Sequence, residues 1–331
     1  MNWEEILKQD SDATTYHTRE WTQSLAEIHK YEPILLENRG AIFPLSIIRS
    51  RLFGNRMISV PFGDYGGPCG DVENAERLID DAILKARQAR VNFIEIRAPT
   101  KPQARLLEKK GFEQRTDYHT FILDLTVGIE SLWKNIEKRT RNGVTHAKKQ
   151  NINLRNATYD DLESFYSVYL KTMKRLGSPP QPLIFFKKIW LSLQPKGLIR
   201  ICLAETENEL VSAAVFFPFA GKMHYAYSCS LEEMRHLRVN DLLLWNAISA
   251  ASDDGFREFD FGRTRRNSGV FYYKKGWGGK EKELPYFYKF FGKPLEERQE
   301  KQYELLSRVW KAILPSSAAK ALGPHIIRQI G

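Results

Sequence analysis

A short arrangement of elements occurs twice in this sequence, and the repeat restricts the folds open to the chain. In the first half, an apolar-striped helix and a strand at 75–97 precede Leu106–Phe112, which reads LLEKKGF. In the second half, a helix and a strand at 241–261 precede Phe271–Gly278, which reads FYYKKGWG. A supersecondary unit repeated in one order indicates a duplicated domain. We therefore predict two similar halves with a cleft between them.

Composition excludes several classes of protein. The length of 331 residues suits two domains, and a hydrophobic fraction of 42% is ordinary for a soluble globular chain. The three cysteines have no CxxC spacing, which argues against a disulfide framework and against a thiolate zinc site. No metal site is expected. The longest uncharged apolar run, 210–221, is too short to cross a bilayer of ~30 Å. We expect a cytoplasmic protein, with contact at a membrane surface left open.

Positive charge is concentrated in two segments. Lys plus Arg number 50 against 40 acidic residues, a net charge of +10. The segments 134–149 and 263–282 carry much of this excess, and the second is interleaved with aromatic residues. A basic surface attracts phosphate groups, nucleic acid or anionic lipid. The sequence therefore predicts a phosphate-bearing ligand, and a solvated basic face is the alternative.

Four motifs resemble those of one family. Asp260-Phe261-Gly262-Arg263 followed by Tyr273–Gly278 is similar to the DFG…FKKGWG signature of FemAB-like proteins. Arg139–Lys149 is similar to the basic helix of the same family, and Val60–Pro68 is similar to its PFGDYGG loop. The resemblance covers about residues 14 to 290. The chain is thus identified as a FemAB-like protein.

The resemblance implies a fold and a domain division. The fold is α/β, with two tandem GNAT-like domains that each have a mixed central sheet flanked by helices. The first domain is placed at 1–128, the second at 129–290 and a C-terminal helical tail at 291–331.

The resemblance also implies an activity. FemAB-like enzymes transfer an aminoacyl or acyl group to an amine of a cell-envelope or polysaccharide precursor, with aminoacyl-tRNA as the donor in the Fem enzymes. No bound cofactor is expected. The expected partners are a tRNA and a sugar-linked or lipid-linked precursor, and the oligomeric state is left open. Gln181 before Pro182 departs from the peptidoglycan-acting relatives, which carry an Arg there.

Two other functions remain as alternatives. One is an acetyl-CoA-dependent N-acetyltransferase, and the other is a non-catalytic module that binds a glycan or nucleic acid. Acetyl-CoA enzymes grip pyrophosphate with a glycine-containing turn before a helix, whose backbone N–H groups bind the anion. The corresponding segment, 235–240, contains no glycine. Acetyl-CoA is therefore the less favoured donor.

Three residues are candidates for the chemistry of acyl transfer. Lys274 matches the substrate-contacting Lys of the family, and alternation within a strand would place it opposite Phe271 and Tyr273. It could supply positive charge where an oxyanion develops. Asp260 lies in an apolar strand and needs a partner if buried, for which Arg263 is the nearest cation in sequence. The candidate catalytic residues are Lys274, Asp260 and Tyr273. The candidate substrate-binding residues are Arg139, Arg141, Lys148, Tyr65, Tyr227, Asn240, Arg263 and Trp277.

The tail has an apolar stripe with basic residues beside it. The stripe runs from Trp310 to Ile327. An amphipathic basic helix of this kind can lie in a membrane surface. Because Pro315 and Pro324 should break the helix, packing of the stripe on the transferase domains is the favoured alternative.

Overall fold

The structure, a computed structural model, describes residues 1–292 and 316–331. The chain divides into two compact units. Unit 1 comprises 1–117, 284–292 and 324–331 of the described residues, and unit 2 comprises 118–283 and 316–323. The strand at 284–290 belongs to unit 1, whereas the sequence analysis placed it in the second domain. The boundaries at 128 and 290 stay predictions.

The described residues form both helices and strands. The helices are α1 Trp3–Gln9, α2 Arg19–His29, α3 Val72–Gln88, α4 Lys101–Lys109, α5 Ile129–Asn135, α6 Lys138–Ala147, α7 Leu162–Leu176, α8 Leu183–Leu193, α9 Val239–Asp253, α10 Gly269–Lys275 and α11 Ser316–Ile330. The strands are β1 Glu32–Glu37, β2 Ala41–Ile48, β3 Arg56–Ser59, β4 Cys69–Gly70, β5 Phe93–Arg97, β6 Glu113–Asp124, β7 Asn153–Asn156, β8 Arg200–Thr206, β9 Glu209–Phe219, β10 Lys222–Ser230, β11 Glu258–Asp260, β12 Thr264–Arg265 and β13 Lys280–Phe290.

Unit 1 has a mixed sheet in the order β1-β2-β3-β5-β13, with β4 paired to β2. Strands β3 and β5 are parallel and are joined through α3, and the remaining pairs of this sheet are antiparallel. Helix α3 buries Leu78, Ile79 and Ala82 in the same cluster as Phe43 of β2. The stripe arises because apolar residues recur at helical spacing, and burying it provides most of this core's stabilisation.

Unit 2 repeats this plan. Its sheet follows the order β6-β11-β10-β9-β8-β7, with β12 paired to β6. Strands β10 and β11 are parallel and are joined through α9, as β3 and β5 are joined through α3. Long antiparallel pairings between β8, β9 and β10 complete the sheet. The predicted α/β class, with mixed sheets flanked by helices, is confirmed.

Two helical regions differ from what local pattern alone indicates. Residues 131–149, which read as one helical stretch, form two helices because Ile136 adopts an extended backbone between α5 and α6. The amide of Glu137 donates to the carbonyl of Gly276 at 2.9 Å, so a tertiary contact holds the break. Helix α11 runs through Pro324, so the prediction that this proline breaks the helix is wrong. The predicted stripe residues at 310–314 lie outside the described residues.

No helix within 1–292 and 316–331 is long and apolar enough to cross a membrane. The same part of the chain contains no cluster of His, Cys, Asp and Glu suited to a metal ion.

An ion-pair network at the edge of unit 2 gives a pH-dependent prediction. Arg155 on β7 contacts Asp161 at 2.6 Å and Glu205 at 2.7 Å. The Arg155 guanidinium, with help from Thr158, holds the pKa of Asp161 below its usual value. A carboxylate with a lowered pKa stabilises the fold above its ordinary pKa, and this stabilisation is lost as the pH falls towards the folded-state pKa.

Arg155→Met is therefore expected to lower the free energy of unfolding by about 1 kcal/mol at pH 7, a value kept small by the partial exposure of the pair. The difference from the wild type should shrink below about pH 4, which urea titrations at several pH values can measure. Arg77→Met is the control, because Arg77 pairs with Glu73 on an exposed helix face. An equal loss for Arg155→Met at pH 7 and pH 2 would contradict the assignment.

Candidate active site

The parallel strands of unit 2 pair over only a short length. Lys222, Met223 and His224 of β10 lie opposite Glu258, Phe259 and Asp260 of β11, and the pairing stops there. Strand β10 continues to Ser230, with an irregularity in its pairing to β9 between Tyr225 and Tyr227. A bulge of this kind re-aims side chains and is common beside active sites. The end of β11 is therefore where the sheet presents polar groups.

Asp260, the last residue of β11, is buried and well bonded. Its carboxylate accepts hydrogen bonds from Thr120 Oγ1 at 2.5 Å and from the amide of Gly262 at 2.9 Å. His224 Nδ1 lies 3.1 Å from Asp260 Oδ2. Arg263, the partner expected from the sequence, lies with its guanidinium 5.1 Å from the centre of the Tyr118 ring. Asp260 thus joins β6, β10 and β11 below the following loop.

Lys274 lies in a helix, so its predicted position in a strand is wrong. Ser268 caps α10 by accepting a hydrogen bond from the amide of Phe271, and this helix carries Lys274 in its last turn. Lys274 is buried, and its Nζ donates to the carbonyls of Gly262 at 2.8 Å and Arg263 at 3.0 Å. The Lys274 ammonium thereby connects α10 to the loop that follows Asp260. Lys275 is exposed.

A cavity of about 750 Å³ opens within unit 2. It lies at the start of α9 and is bordered by α6, α10 and the end of β10. Its charged lining residues are Glu137, Arg139, Arg235, Arg238, Asp241 and Lys275, and its other polar lining residues include Thr140, Ser230, Asn240, Tyr272 and Tyr273. Four cations face two carboxylates, and the start of a helix adds partial positive charge. The cavity therefore favours an anionic ligand.

An ion pair marks the entrance to α9. Arg238 contacts Asp241 at 2.6 Å, and Asp241 is almost fully buried. Burial raises the pKa of the Asp241 carboxyl, and the Arg238 guanidinium opposes the shift. A Cβ at Gly143 of α6 would overlap Asp241 Oδ2 and crowd the guanidinium. Glycine at position 143 therefore allows α6 to approach this pair closely.

Tyr273 places a phenol at the base of the cavity. Tyr273 Oη and the nearby Trp277 Nε1 are buried. The Tyr273 hydroxyl lies close to the Asp241 carboxylate and to Trp277. Burial, together with the charge of Asp241, raises the pKa of Tyr273 well above its ordinary value. The phenol therefore stays protonated at neutral pH and has a proton to donate.

The structure brings some of the predicted site residues together. Arg139, Asn240 and Tyr273 line the cavity. Arg141 instead donates to the carbonyls of Trp133, Lys134 and Ile136, and so closes the end of α5. The remaining substrate-binding candidates do not line the cavity: Lys148 lies over Trp133, Arg263 lies over Tyr118, Tyr227 packs on Phe185 and Phe186, Trp277 lies in the core, and Tyr65 belongs to unit 1. The catalytic candidates Lys274 and Asp260 do not line it either.

Sequence reasoning missed Arg235, Arg238 and Asp241. The segment 235–240 lacks glycine, but it contains two arginines, Arg235 and Arg238. Neither Asn240 nor Asp241 caps α9, because the helix begins at Val239 and has Arg238 in the capping position. Asn240 instead bonds to Ser212 and Ser230. Arginines directly before a predicted helix were the signal that could have identified this site.

Comparison with known families gives the identity of the cavity-bearing region. The sequence profile of the acetyltransferase (GNAT) domain family matches residues 133–275. Residues 133–275 thus form a GNAT-like domain. This GNAT domain contains the cavity, the Asp260 cluster and Lys274, and it confirms the prediction that the chain is an acyltransferase. A comparison with curated protein sequences finds none that matches the chain.

Solved structures extend the likeness beyond the GNAT domain. FemX is similar with a TM-score of 0.71 at 15% identity, covering 92% of this chain and 97% of that one. The C-terminal domain of a protein assigned as a lysylphosphatidylglycerol synthetase from Agrobacterium fabrum has a TM-score of 0.64 at 10% identity, covering 92% and 95%. L-PGS from Bacillus licheniformis has a TM-score of 0.62 at 12% identity, covering 93% and 95%. The predicted FemAB-like GNAT fold is confirmed.

Proposed function

We propose that this acyltransferase moves an aminoacyl group from a phosphate-bearing donor to an amine of a cell-envelope precursor. The observation that carries the proposal is the basic cavity at the start of α9, which has the protonated Tyr273 phenol at its base. The fold shared with FemX and L-PGS supports an aminoacyl donor. Aminoacyl-tRNA is the donor that fits best, because its aminoacyl end carries an ester that can be transferred and phosphates that the basic cavity can bind.

The chemistry of the transfer assigns a role to each group. The acceptor amine attacks the ester carbonyl, a carbon–nitrogen bond and an oxyanion form, and the carbon–oxygen bond to the ribose then breaks. The amine nitrogen loses one proton and the leaving ribose oxygen gains one, so the transfer is balanced. A donor hydrogen bond aimed at the developing charge lowers the barrier. Tyr273 Oη is suited to donate that bond or the leaving-group proton. Lys274 orients the loop after Asp260 through its bonds to Gly262 and Arg263.

The cavity walls favour aminoacyl-tRNA over acetyl-CoA. At the start of α9, Arg238 takes the place of a glycine turn and adopts a positive φ of 57°. Its side chain is directed to Asp241 and occupies space near the first amides of the helix. A pyrophosphate gripped by backbone N–H groups would have to compete with this ion pair. Phosphates spaced along a nucleic-acid strand could instead contact Arg139 and Arg235 at the rim.

Donor binding tests the proposal. Affinity for aminoacyl-tRNA should fall steeply with salt because bound counterions are released. Arg139→Gln should reduce the slope of log affinity against log salt by about 1. Arg200→Gln is the control, because Arg200 pairs with Asp254 away from the cavity lining. Fluorescence titration at several salt concentrations measures these slopes.

Two results would overturn the proposal. One is an unchanged slope for Arg139→Gln, which would remove the cavity from donor binding. The other is micromolar binding of coenzyme A with transfer of its acetyl group, which would make the chain an acetyl-CoA enzyme.

A further inference from the structure

The unit 1 sheet has one apolar face and one charged face. Met57 of β3 and Ile94 and Ile96 of β5 belong to the hydrophobic core under α3. Side chains alternate between faces along a strand, so Arg56 of β3, with Glu95 and Arg97 of β5, lies on the opposite face. All three of these charged residues are nevertheless less than a tenth exposed. Charged residues are almost never buried unless they are paired, so this face requires an explanation.

The two arginines differ in how their charges are balanced. Arg97 contacts Glu95 at 2.7 Å and also donates to the carbonyls of Val60 and Gly63. Arg56 forms no ion pair among the described residues. Its guanidinium donates to backbone carbonyls, at 2.6 Å for Gln329 and also to Ile330. Burial lowers the pKa of Arg56 to about 10. A buried cation bonded only to neutral acceptors is costly.

The segment 324–331, the end of α11 and Gly331, covers this charged face. Tyr31 Oη donates to the carbonyl of Arg328 at 3.0 Å, and Arg97 Nη2 donates to that of Gly331 at 3.4 Å. The last carbonyls of any helix lack partners within the helix, so capping explains part of the contact. The fit is incomplete, because Gln329 Oε1 is buried there with no hydrogen-bond partner within the described residues.

We propose that Tyr31, Arg56 and Arg97 form a binding site for an oxyanion of the phosphate class, and that segment 324–331 occupies this site as a displaceable cover. Guanidinium groups bind phosphate oxygens through paired, charge-assisted hydrogen bonds, which are stronger than bonds to neutral carbonyls. Arg56, Arg97 and Glu95 together carry one net positive charge, which a bound phosphate-class anion would balance. The tail carbonyls take the positions that phosphate oxygens would fill. This site lies in unit 1 and does not depend on the function proposed for the GNAT domain.

Inorganic pyrophosphate added to the full-length protein tests the proposal. Calorimetry should detect its binding, and hydrogen exchange of the amides at 324–331 should become about tenfold faster as the cover is displaced. Arg56→Gln should abolish the binding. Arg49→Gln should leave the binding unchanged, because Arg49, directly after β2, is an exposed arginine that pairs with Glu32. Sodium chloride at matched ionic strength controls for general screening.

A second variant loosens the cover and leaves Tyr31, Arg56 and Arg97 unchanged. A Cβ at Gly331 would overlap Ile48 Cδ1. Gly331→Val should therefore dock the tail poorly and bind pyrophosphate about tenfold more tightly than the wild type, because a larger fraction of molecules is open. This variant keeps the test valid if Arg56→Gln fails to fold. The proposal is overturned if Gly331→Val binds no pyrophosphate, or if pyrophosphate binds while exchange at 324–331 stays unchanged. In either case the arginines only cap the helix.

Discussion

Lys274→Met is expected to lower turnover by ~10²-fold, the loss typical of a change that displaces groups of a site by about 1 Å. The substitution keeps the length of the apolar stem but removes the ammonium that bonds to the carbonyls of Gly262 and Arg263. Those carbonyls belong to the loop directly after Asp260, at the end of β11. The loop should then lose its fixed position relative to α10. Steady-state kinetics with aminoacyl-tRNA and an amine acceptor measure the effect, which should appear in kcat more than in KM.

Lys275→Met is the matched control. Lys275 neighbours Lys274 in sequence but is exposed, so its loss should change kcat by less than about threefold, as for ordinary surface substitutions. Similar small effects from both variants would mean that the bonds from the Lys274 ammonium to the loop do not contribute to turnover. A large rise in KM for Lys274→Met with unchanged kcat would instead assign Lys274 to substrate binding.

Asp260→Ala is expected to lower the free energy of unfolding by about 3 kcal/mol. The carboxylate is buried and bonded to Thr120 and the Gly262 amide, and His224 lies beside it. Removing the carboxylate leaves buried groups on β6, β10 and the β11 loop without their acceptor. Each unmatched polar group carries its own desolvation cost. Urea unfolding followed by tryptophan fluorescence gives the value.

The control for Asp260 is Asp124→Ala, on the neighbouring strand β6. Asp124 also accepts two hydrogen bonds, from the amide and hydroxyl of Thr126, but it is exposed. Its loss should therefore cost only about 1 kcal/mol, as for an ordinary capping residue. Asp260→Asn should fall between the two. Equal costs for Asp260→Ala and Asp124→Ala would show that the buried network does not stabilise the sheet.

Most of the fold could be predicted from local patterns. The apolar stripe at 75–90 and the run at 93–97 specify a helix and a buried strand, because their periods of 3.6 and 2 are set by backbone geometry. The same holds for α9 and β11. The repeat of these elements correctly indicated that the plan of unit 1 recurs in unit 2, with a parallel pair of strands in each.

The candidate site was harder to predict, and Lys274 shows why. Four residues, Phe271 to Lys274, fit a strand or a helix equally well, because so short a run does not distinguish the two periods. The serine at 268 was the missed indication, since its hydroxyl caps α10. Arg139 and Arg141 looked equivalent in sequence. In the structure one lines the cavity and the other closes α5, because the helix turns their side chains about 200° apart.

Local sequence patterns were sufficient to predict the α/β class, the repeated elements and the residues that resemble FemAB-like proteins. These follow from periodicity and from short motifs, both of which are local in the chain. The partners of the buried charged side chains became visible only in the folded structure. It placed Asp260 with Thr120 and Arg56 with the carbonyls of 329–330, although more than 130 residues separate each pair in sequence. Pairings of this kind depend on how strands and helices pack. Local sequence patterns do not predict them, because packing brings together residues that are distant in sequence and burial then sets the energy of their contact.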